Sequence, residues 1–337
     1  MSVFNCFTGA MSSFPETPTA PSTASPQTAA VIGGGSIGVA FALVLARAGW
    51  SVRVQDPSAE RRRVAPAELR ERAEMLQRYA LLKEPIDTLV GRVSMVETIE
   101  LAAAGVALAI ECAPERVEIK QAVFAALDAV SPADAVLCSA SSALPISQVC
   151  ADLPGRARCL VAHPGNPPYL IPVIELVPAT FTSPEAVERC RAQFASMGMK
   201  PVAVRKEIEG FLFNRIQGAV LREAYCLVRD GIASVEDIDT VVRDGLGLRW
   251  SFIGPFETVD LNTRGGIESH ASKMGPAYAR MGAQRGQDDP WTPELVGQVA
   301  AQRRALLPLD EWEQRVQWRD SQLMAMAQFR QQDHEKS

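Results

Sequence analysis

The stretch VAHPGNPPYLIPVIELVP, Val161 to Pro178, holds one of only three histidines in the chain. His163 ends an apolar run, prolines at 164, 167 and 168 stiffen the path beyond it, and Glu175 arrives inside a second apolar run. A carboxylate among apolar side chains is costly unless it is paired. The nearest partner is the imidazole. A glutamate accepting from Nδ1–H leaves Nε2 as a base and stabilises the imidazolium formed when that base takes a proton. The pattern points to general acid–base chemistry. Two structural readings stand beside it: a His–Glu hydrogen bond with no catalytic part, and an ion pair between Glu175 and an arginine of the later helical region. No second histidine or cysteine cluster lies near enough in sequence to suggest a metal.

A second group of residues suits phosphate chemistry. Gly33-Gly34-Gly35-Ser36-Ile37-Gly38 follows an apolar strand pattern and opens a helical one. In such a G-x-G-x-x-G turn the first glycine permits the tight bend and the second lets a pyrophosphate approach the backbone. The third lets helix pack on strand, and the helix N-terminus favours the phosphate charge. Asp56 ends the next strand, where a carboxylate accepts from an adenosine ribose and repels a 2′-phosphate, so the cofactor expected is NAD rather than NADP. The run Arg61-Arg62-Arg63 just downstream could hold a phosphate, but beside a polar helix it reads more as a solvated face.

Two polar positions complete the candidates. CSASSALP, Cys138 to Pro145, closes a strand with three serines. Ser142 is the best placed of them to enter a crevice, or else to cap the short helix that follows. Asn214 falls in the first turn of a long helix, as a polar contact or as a local cap.

The elements that must position these residues alternate regularly. Strands are expected at AAVIGGG, SVRVQD, RVSMVE, VALAIECAP, AVLCSAS, RCLVAH, VIELVP and PVAVR. Helices are expected over Ser36 to Ala48, Pro66 to Leu82 and between several later strands. This order predicts an α/β, Rossmann-type, mainly parallel sheet covered by helices on both faces. His163, at the carboxyl end of its strand, then faces the ligand crevice. Beyond Lys206 the pattern changes. GFLFNRIQGAVLREAYCLVRDG is amphipathic at helical spacing, Ser234 and Asp237 form a capping box for the next helix, and an all-α region runs to the C-terminus. The predicted organisation is a disordered tail over 1–28, a dinucleotide-binding domain over 29–206 and a helical domain over 207–337.

Composition bounds the rest. A net charge of −5 gives no electrostatic case for nucleic acid or an anionic membrane, and 47% apolar with 22% charged residues is ordinary for a globular protein. Seven cysteines, at 6, 112, 138, 150, 159, 190 and 226, form no metal-ligand spacing. Most lie in apolar runs, which suggests reduced buried thiols and a cytoplasmic location. No apolar stretch is long enough to cross a bilayer.

Taken together these segments resemble the 3-hydroxyacyl-CoA dehydrogenase family, and more closely its small-substrate branch, that of L-gulonate 3-dehydrogenase or lambda-crystallin. The pieces that carry the resemblance are the glycine turn with Asp56, ECAPERVEIK, SASSAL, AHPGNPPYLIPVIELVP and GFLFNRIQGAV. Two more are EDIDTVVRDGLGLRWSFIGPFETVDLN and QWRDSQLM. The resemblance implies acid–base work by His163 and Glu175, and a substrate oxygen held by Ser142 and Asn214. It also implies NAD contacts from Ser36, Ile37, Glu115 and Lys120, and a homodimer formed through the helical domain. Two departures point away from acyl-CoA thioesters. The acyl-CoA enzymes have Ser-Asn-Thr-Ser-Ser where this chain has Ser139-Ala140-Ser141-Ser142-Ala143, and they lack the Leu248-Arg249-Trp250-Ser251-Phe252 insertion. Arg249 is either a clamp for a substrate carboxylate or an ion-pair partner at the dimer contact. The expected activity is oxidation of the 3-hydroxyl of a small, L-gulonate-like hydroxy acid. The alternatives are a 3-hydroxyacyl-CoA dehydrogenase and an NAD-binding, crystallin-like structural protein.

Overall fold

Eight short apolar runs form one sheet. They are β1 Thr28–Ile32, β2 Ser51–Gln55, β3 Val93–Val96, β4 Leu108–Glu111, β5 Val136–Ser139, β6 Cys159–Pro164, β7 Val173–Pro178 and β8 Lys200–Ala203. The computed structural model describes residues 27–251, 253–262, 266–285 and 308–334, together with positions 294, 301 and 305. The expected tail, apart from Gln27 and Thr28, lies outside the described residues, as does Phe252, and Thr28 is already the first residue of β1.

The sheet order is β3-β2-β1-β4-β5-β6-β7-β8. Strands β1 to β6 are mutually parallel; β7 runs antiparallel to β6, and β8 follows β7 in parallel. Alternate residues of each strand serve opposite faces. Val31, Leu108, Ile110, Val136 and Leu160 enter one core with helices α1 (Ser36–Arg47), α2 (Ala59–Arg78) and α3 (Ile86–Val90). Ala30, Ala109, Leu137 and Val161 enter the other with α4 (Ile99–Ala103), α5 (Val117–Val130) and α6 (Ile146–Cys150). Helix α7 (Pro184–Ser196) adds Cys190 and Phe194 to the first core. This two-faced burial is why the strands read as apolar runs rather than as alternating patterns.

One helix begins earlier than its sequence suggests. Pro66 looks like a first-turn proline, but the Ser58 side chain accepts from Arg61 N–H and starts α2 at Ala59, leaving Pro66 inside the helix. The arginine run therefore lies in the first turn of a helix.

After the sheet come α8 (Phe213–Arg229), α9 (Val235–Thr240) with the Ser234–Asp237 capping box, a π-helical turn over Val241–Leu246, and α10 (Gly247–Trp250). Helices α11 (Pro255–Asn262), α12 (Gly266–Arg285) and α13 (Trp312–His334) follow. Met324 of α13 is buried in the first sheet core, so the end of the chain returns to the sheet. Among the described residues the six cysteines are free thiols, five of them buried, and no helix is long and apolar enough to cross a membrane.

The glycine turn depends on two close backbone approaches. Gly33 has φ of +105°, and a Cβ there would lie 2.7 Å from the Cys112 carbonyl oxygen. A Cβ on Gly38 would overlap the Gly33 carbonyl oxygen, whereas one on Gly35 meets nothing within 4 Å. Gly38→Ala is therefore expected to lose at least about 2 kcal/mol of stability. Gly35→Ala is expected to lose less than about 1 kcal/mol, and urea unfolding of the two variants reads the contrast.

Candidate active site

The carboxyl ends of β1, β2, β4, β5 and β6 deliver Gly33, Asp56, Glu111, Ser139 and His163 to one edge of the sheet. Strand order reverses at β1, between β2 and β4, which opens a ligand crevice there. Helix α1 starts behind Gly35 with no side-chain cap, so its first N–H groups remain for a ligand. Together with the open space above Gly35, this fits a pyrophosphate. Asp56 closes the turn, its carboxylate accepting from Gly34 N–H at 2.8 Å and from Ser58 N–H at 2.9 Å.

The arginine run is not a uniformly solvated face. Arg61 reaches back over the turn, its Nε donating to the Gly34 carbonyl at 3.1 Å and its guanidinium pairing with Glu68 at 2.8 Å. Arg62 donates to the Asp56 and Pro57 carbonyls, and Arg63 alone of the three is well exposed, paired with Glu60. Beginning α2 at Ala59 aims Arg61 back at the glycine turn and Arg62 at the loop that follows β2.

His163 and Glu175 face each other across the antiparallel β6–β7 ladder. Directly opposed residues share one face of a sheet and touch. His163 Nδ1 lies 2.6 Å from Glu175 Oε2, with His163 7% and Glu175 2% exposed. The other oxygen, Oε1, accepts from the backbone N–H of Leu212 at 2.7 Å and of Phe213 at 2.9 Å. Those two amides open α8, so the carboxylate closes a helix N-terminus from a distance. Among the described residues Glu175 has no arginine partner; backbone amides take that place.

The approach to α8 is locally strained. Gly210 has φ of 74° and Phe211 φ of 47°, and a left-handed backbone at a residue with a side chain costs roughly 1–2 kcal/mol. The bend turns the next two N–H groups onto Glu175. It also sets the fully buried Phe211 ring, tilted by 54°, at 5.6 Å from the His163 ring, with Phe213 edge-on at 6.5 Å. Phe211 escaped the sequence reading, though the phenylalanine after Gly210 is its only local signal.

Around Ser142 the structure assembles a further network. Glu115 Oε1 accepts from the Ser141 hydroxyl and from the N–H groups of Ser142 at 3.2 Å, Ala143 at 3.2 Å and Leu144 at 3.4 Å. Ser142 itself is exposed, and its carbonyl accepts from Asn214 Nδ2 at 3.1 Å. Neither residue is a helix cap: Pro145 holds the N-cap position of α6, and Asn214 bonds across to the sheet. Lys120 lies behind Glu115, 1% exposed, with Nζ 2.8 Å from Glu111 and 3.2 Å from Glu115. Glu111, Ser139 and Ser141 are buried polar residues that the sequence reading did not single out. The signal for Glu111 was the same as for Glu175, a carboxylate in an apolar strand. Arg249 is exposed on α10, which packs against the π-helical turn and α11, and its side chain makes no bond among the described residues.

Burial pushes the Glu175 carboxyl up, but the bonds from His163 and from the Phe213 and Leu212 amides outweigh it and hold the group below the usual glutamate value. For Glu115, burial is likewise outweighed by the Ser141 bond and the Lys120 charge. A folded-state pKa below the unfolded one gives stability that is present above the unfolded value and lost as pH falls through the folded value. The stability gap between wild type and Glu175→Gln is therefore expected to shrink as pH falls below about 4.3. Urea unfolding across the acid range measures it, and an unchanged gap would count against an ionised Glu175.

Comparison with known proteins agrees with the dinucleotide-binding fold and the helical region after it. Residues 28–208 match the family described as 3-hydroxyacyl-CoA dehydrogenase, NAD binding domain, and residues 210–305 match 3-hydroxyacyl-CoA dehydrogenase, C-terminal domain. A lambda-crystallin homolog of Bos taurus is 37% identical over 324 residues, covering 93% of this chain and 98% of the relative. An L-carnitine dehydrogenase of Mesorhizobium japonicum is 35% identical over 279 residues, covering 81% of this chain and 75% of the relative. The crystal structure of an NAD+-dependent 5-formyl-3-hydroxy-2-methylpyridine 4-carboxylic acid 5-dehydrogenase superposes with a TM-score of 0.77 at 28% identity. That match spans 90% of this chain and 98% of the other. The chain belongs to the 3-hydroxyacyl-CoA dehydrogenase family and is an NAD-dependent dehydrogenase acting on a CH–OH group.

Proposed function

We propose that the protein oxidises the 3-hydroxyl of a small hydroxy acid of the L-gulonate class to a ketone, with His163 and Glu175 as its acid–base pair. The observation that carries this reading is the 2.6 Å bond between His163 Nδ1 and a carboxylate whose other oxygen is already held by two amides. An ionised Glu175 accepting from Nδ1–H fixes the tautomer with its lone pair on Nε2. His163 Nε2 then takes the hydroxyl proton, and Glu175 stabilises the imidazolium. NAD, when bound, accepts the hydride. Asn214 spends one amide N–H on the Ser142 carbonyl and keeps the other for the substrate oxygen, to which the Ser142 hydroxyl also donates. Gly33, Gly35, Ser36, Ile37, Gly38 and Asp56 would hold the pyrophosphate and ribose, and Glu115 would contact the cofactor. Arg249 serves as the substrate carboxylate clamp.

A free acid rather than a thioester is favoured by Ala140, which stands where the acyl-CoA enzymes have asparagine, and by relatives that include an L-carnitine dehydrogenase. The helical region exposes Ile216, Leu248, Phe256 and Leu261, large apolar residues suited to a contact between two copies of the chain.

His163→Ala is expected to lose turnover by roughly 10²–10⁴ while still binding NAD; near-normal turnover would overturn the assignment. NADH formation with L-gulonate, 3-hydroxybutyrate, L-carnitine and 3-hydroxybutyryl-CoA tests the substrate class. The free acids are expected to react, and reaction with the thioester alone would reverse the choice. Sedimentation is expected to give the mass of two chains, and a single-chain mass would count against the dimer.

A further inference from the structure

The buried polar cluster beneath Ser142 has a root that the proposed mechanism does not use. Glu111, the last residue of β4, is completely buried yet accepts four hydrogen bonds. Ala113 N–H donates at 2.6 Å, Lys120 Nζ at 2.8 and 2.9 Å, and the Ser139 hydroxyl at 2.7 Å. Lys120, in the first turn of α5, hands its remaining contacts to Glu115 at 3.2 Å and the Ala113 carbonyl at 3.3 Å. Ser139 Oγ in turn accepts from Ser141 N–H at 3.2 Å. Two paths therefore run from Glu111 to the same turn, one through Lys120 and Glu115 and one through Ser139. The first ends on the amides of residues 142–144 and the second on Ser141 N–H; they meet at Ala143 and Leu144, whose amides also donate to the Ser141 hydroxyl, and Asn214 Nδ2 is tied to the Ser142 carbonyl of the same turn.

A buried ion pair is weak ground for stability, because well-packed apolar residues of similar volume often do as well or better. What an apolar pair cannot supply is direction. Glu111 places donors from three segments of chain, and Lys120 sets the tilt of the Glu115 carboxylate that collects the three amides.

We propose that Glu111 is a positioning residue: acting through Lys120 and Ser139, it fixes the 139–144 turn, and with it Ser142 and Asn214, without touching substrate or cofactor. This rests on the reading of Ser142 and Asn214 as the groups that hold the substrate oxygen.

Glu111→Gln keeps the volume but turns an amide donor toward the Lys120 ammonium. The expected result is amide hydrogen exchange at Ser142, Ala143 and Leu144 at least tenfold faster, with β6 amides unchanged. Turnover of the reactive hydroxy acid should fall at least tenfold in kcat, while the acid limb of kcat/KM stays at the wild-type pH because the His163–Glu175 bond is untouched. The double variant Glu111→Leu with Lys120→Met replaces the pair by apolar groups; it is expected to unfold at the same or a higher urea concentration, yet to show the same fast exchange and low kcat. Ser139→Ala, which cuts only the second path, is expected to give a smaller change of the same kind, and it carries the test if the larger changes prevent folding. Wild-type exchange at the three amides in a folded variant, or fast exchange with kcat unchanged, overturns the proposal. If the wild-type protein forms no NADH from any hydroxy acid, the functional reading fails, and fast exchange in the variants would still support Glu111 as the anchor of the turn.

Discussion

One carboxylate joins the two halves of this protein. Glu175 is buried, and it binds the His163 ring with one oxygen and the first amides of α8 with the other. An ionised group there is stabilised by three donors, and removing any of them would leave the buried charge less compensated. The same bonds that orient the imidazole therefore hold the helical region to the sheet. The orientation of the His163 ring and the attachment of α8 are one constraint, and the left-handed backbone at Gly210 and Phe211 is the local strain that meets it.

Glu111 repeats this arrangement three strands away in the sheet. Both glutamates are buried polar residues in apolar strands, and each is satisfied by donors drawn from separate segments of chain. Between them lie the turn at 139–144 and Asn214. The crevice at the carboxyl edge of the sheet is thus framed by two buried negative charges, each bound by fixed donors, while the glycine turn and the uncapped start of α1 present positive dipole ends to the cofactor side.

Some residues announced their environment locally and others did not. Asp56 and the glycine turn were legible because strand, turn and helix N-terminus lie within one short segment. Glu175 was legible as a carboxylate with no neighbouring counter-charge. Pro66 misled because a missing N–H looks the same at a helix start and inside a helix, and Ser58 decided between them. Arg61 was taken for a solvated charge because its partners, Gly34 and Glu68, come together only when α2 packs beside the glycine turn. Lys120 was assigned to the cofactor by resemblance, and its near-complete enclosure behind Glu115 is a property of β4, α5 and the 139–144 turn together.

Periodicity and short-range chemistry were sufficient for the sheet-and-helix class and the dinucleotide turn, since each depends on residues a few positions apart or on a repeat that burial imposes, whereas Glu175 was left with an imidazole or an arginine as its partner. The register that sets His163 opposite Glu175, the amides that occupy the second oxygen and the enclosure of Glu111 with Lys120 were decided in three dimensions. Their partners stand far apart along the chain, and a buried charge takes whichever donors packing brings within reach. No local pattern records that choice.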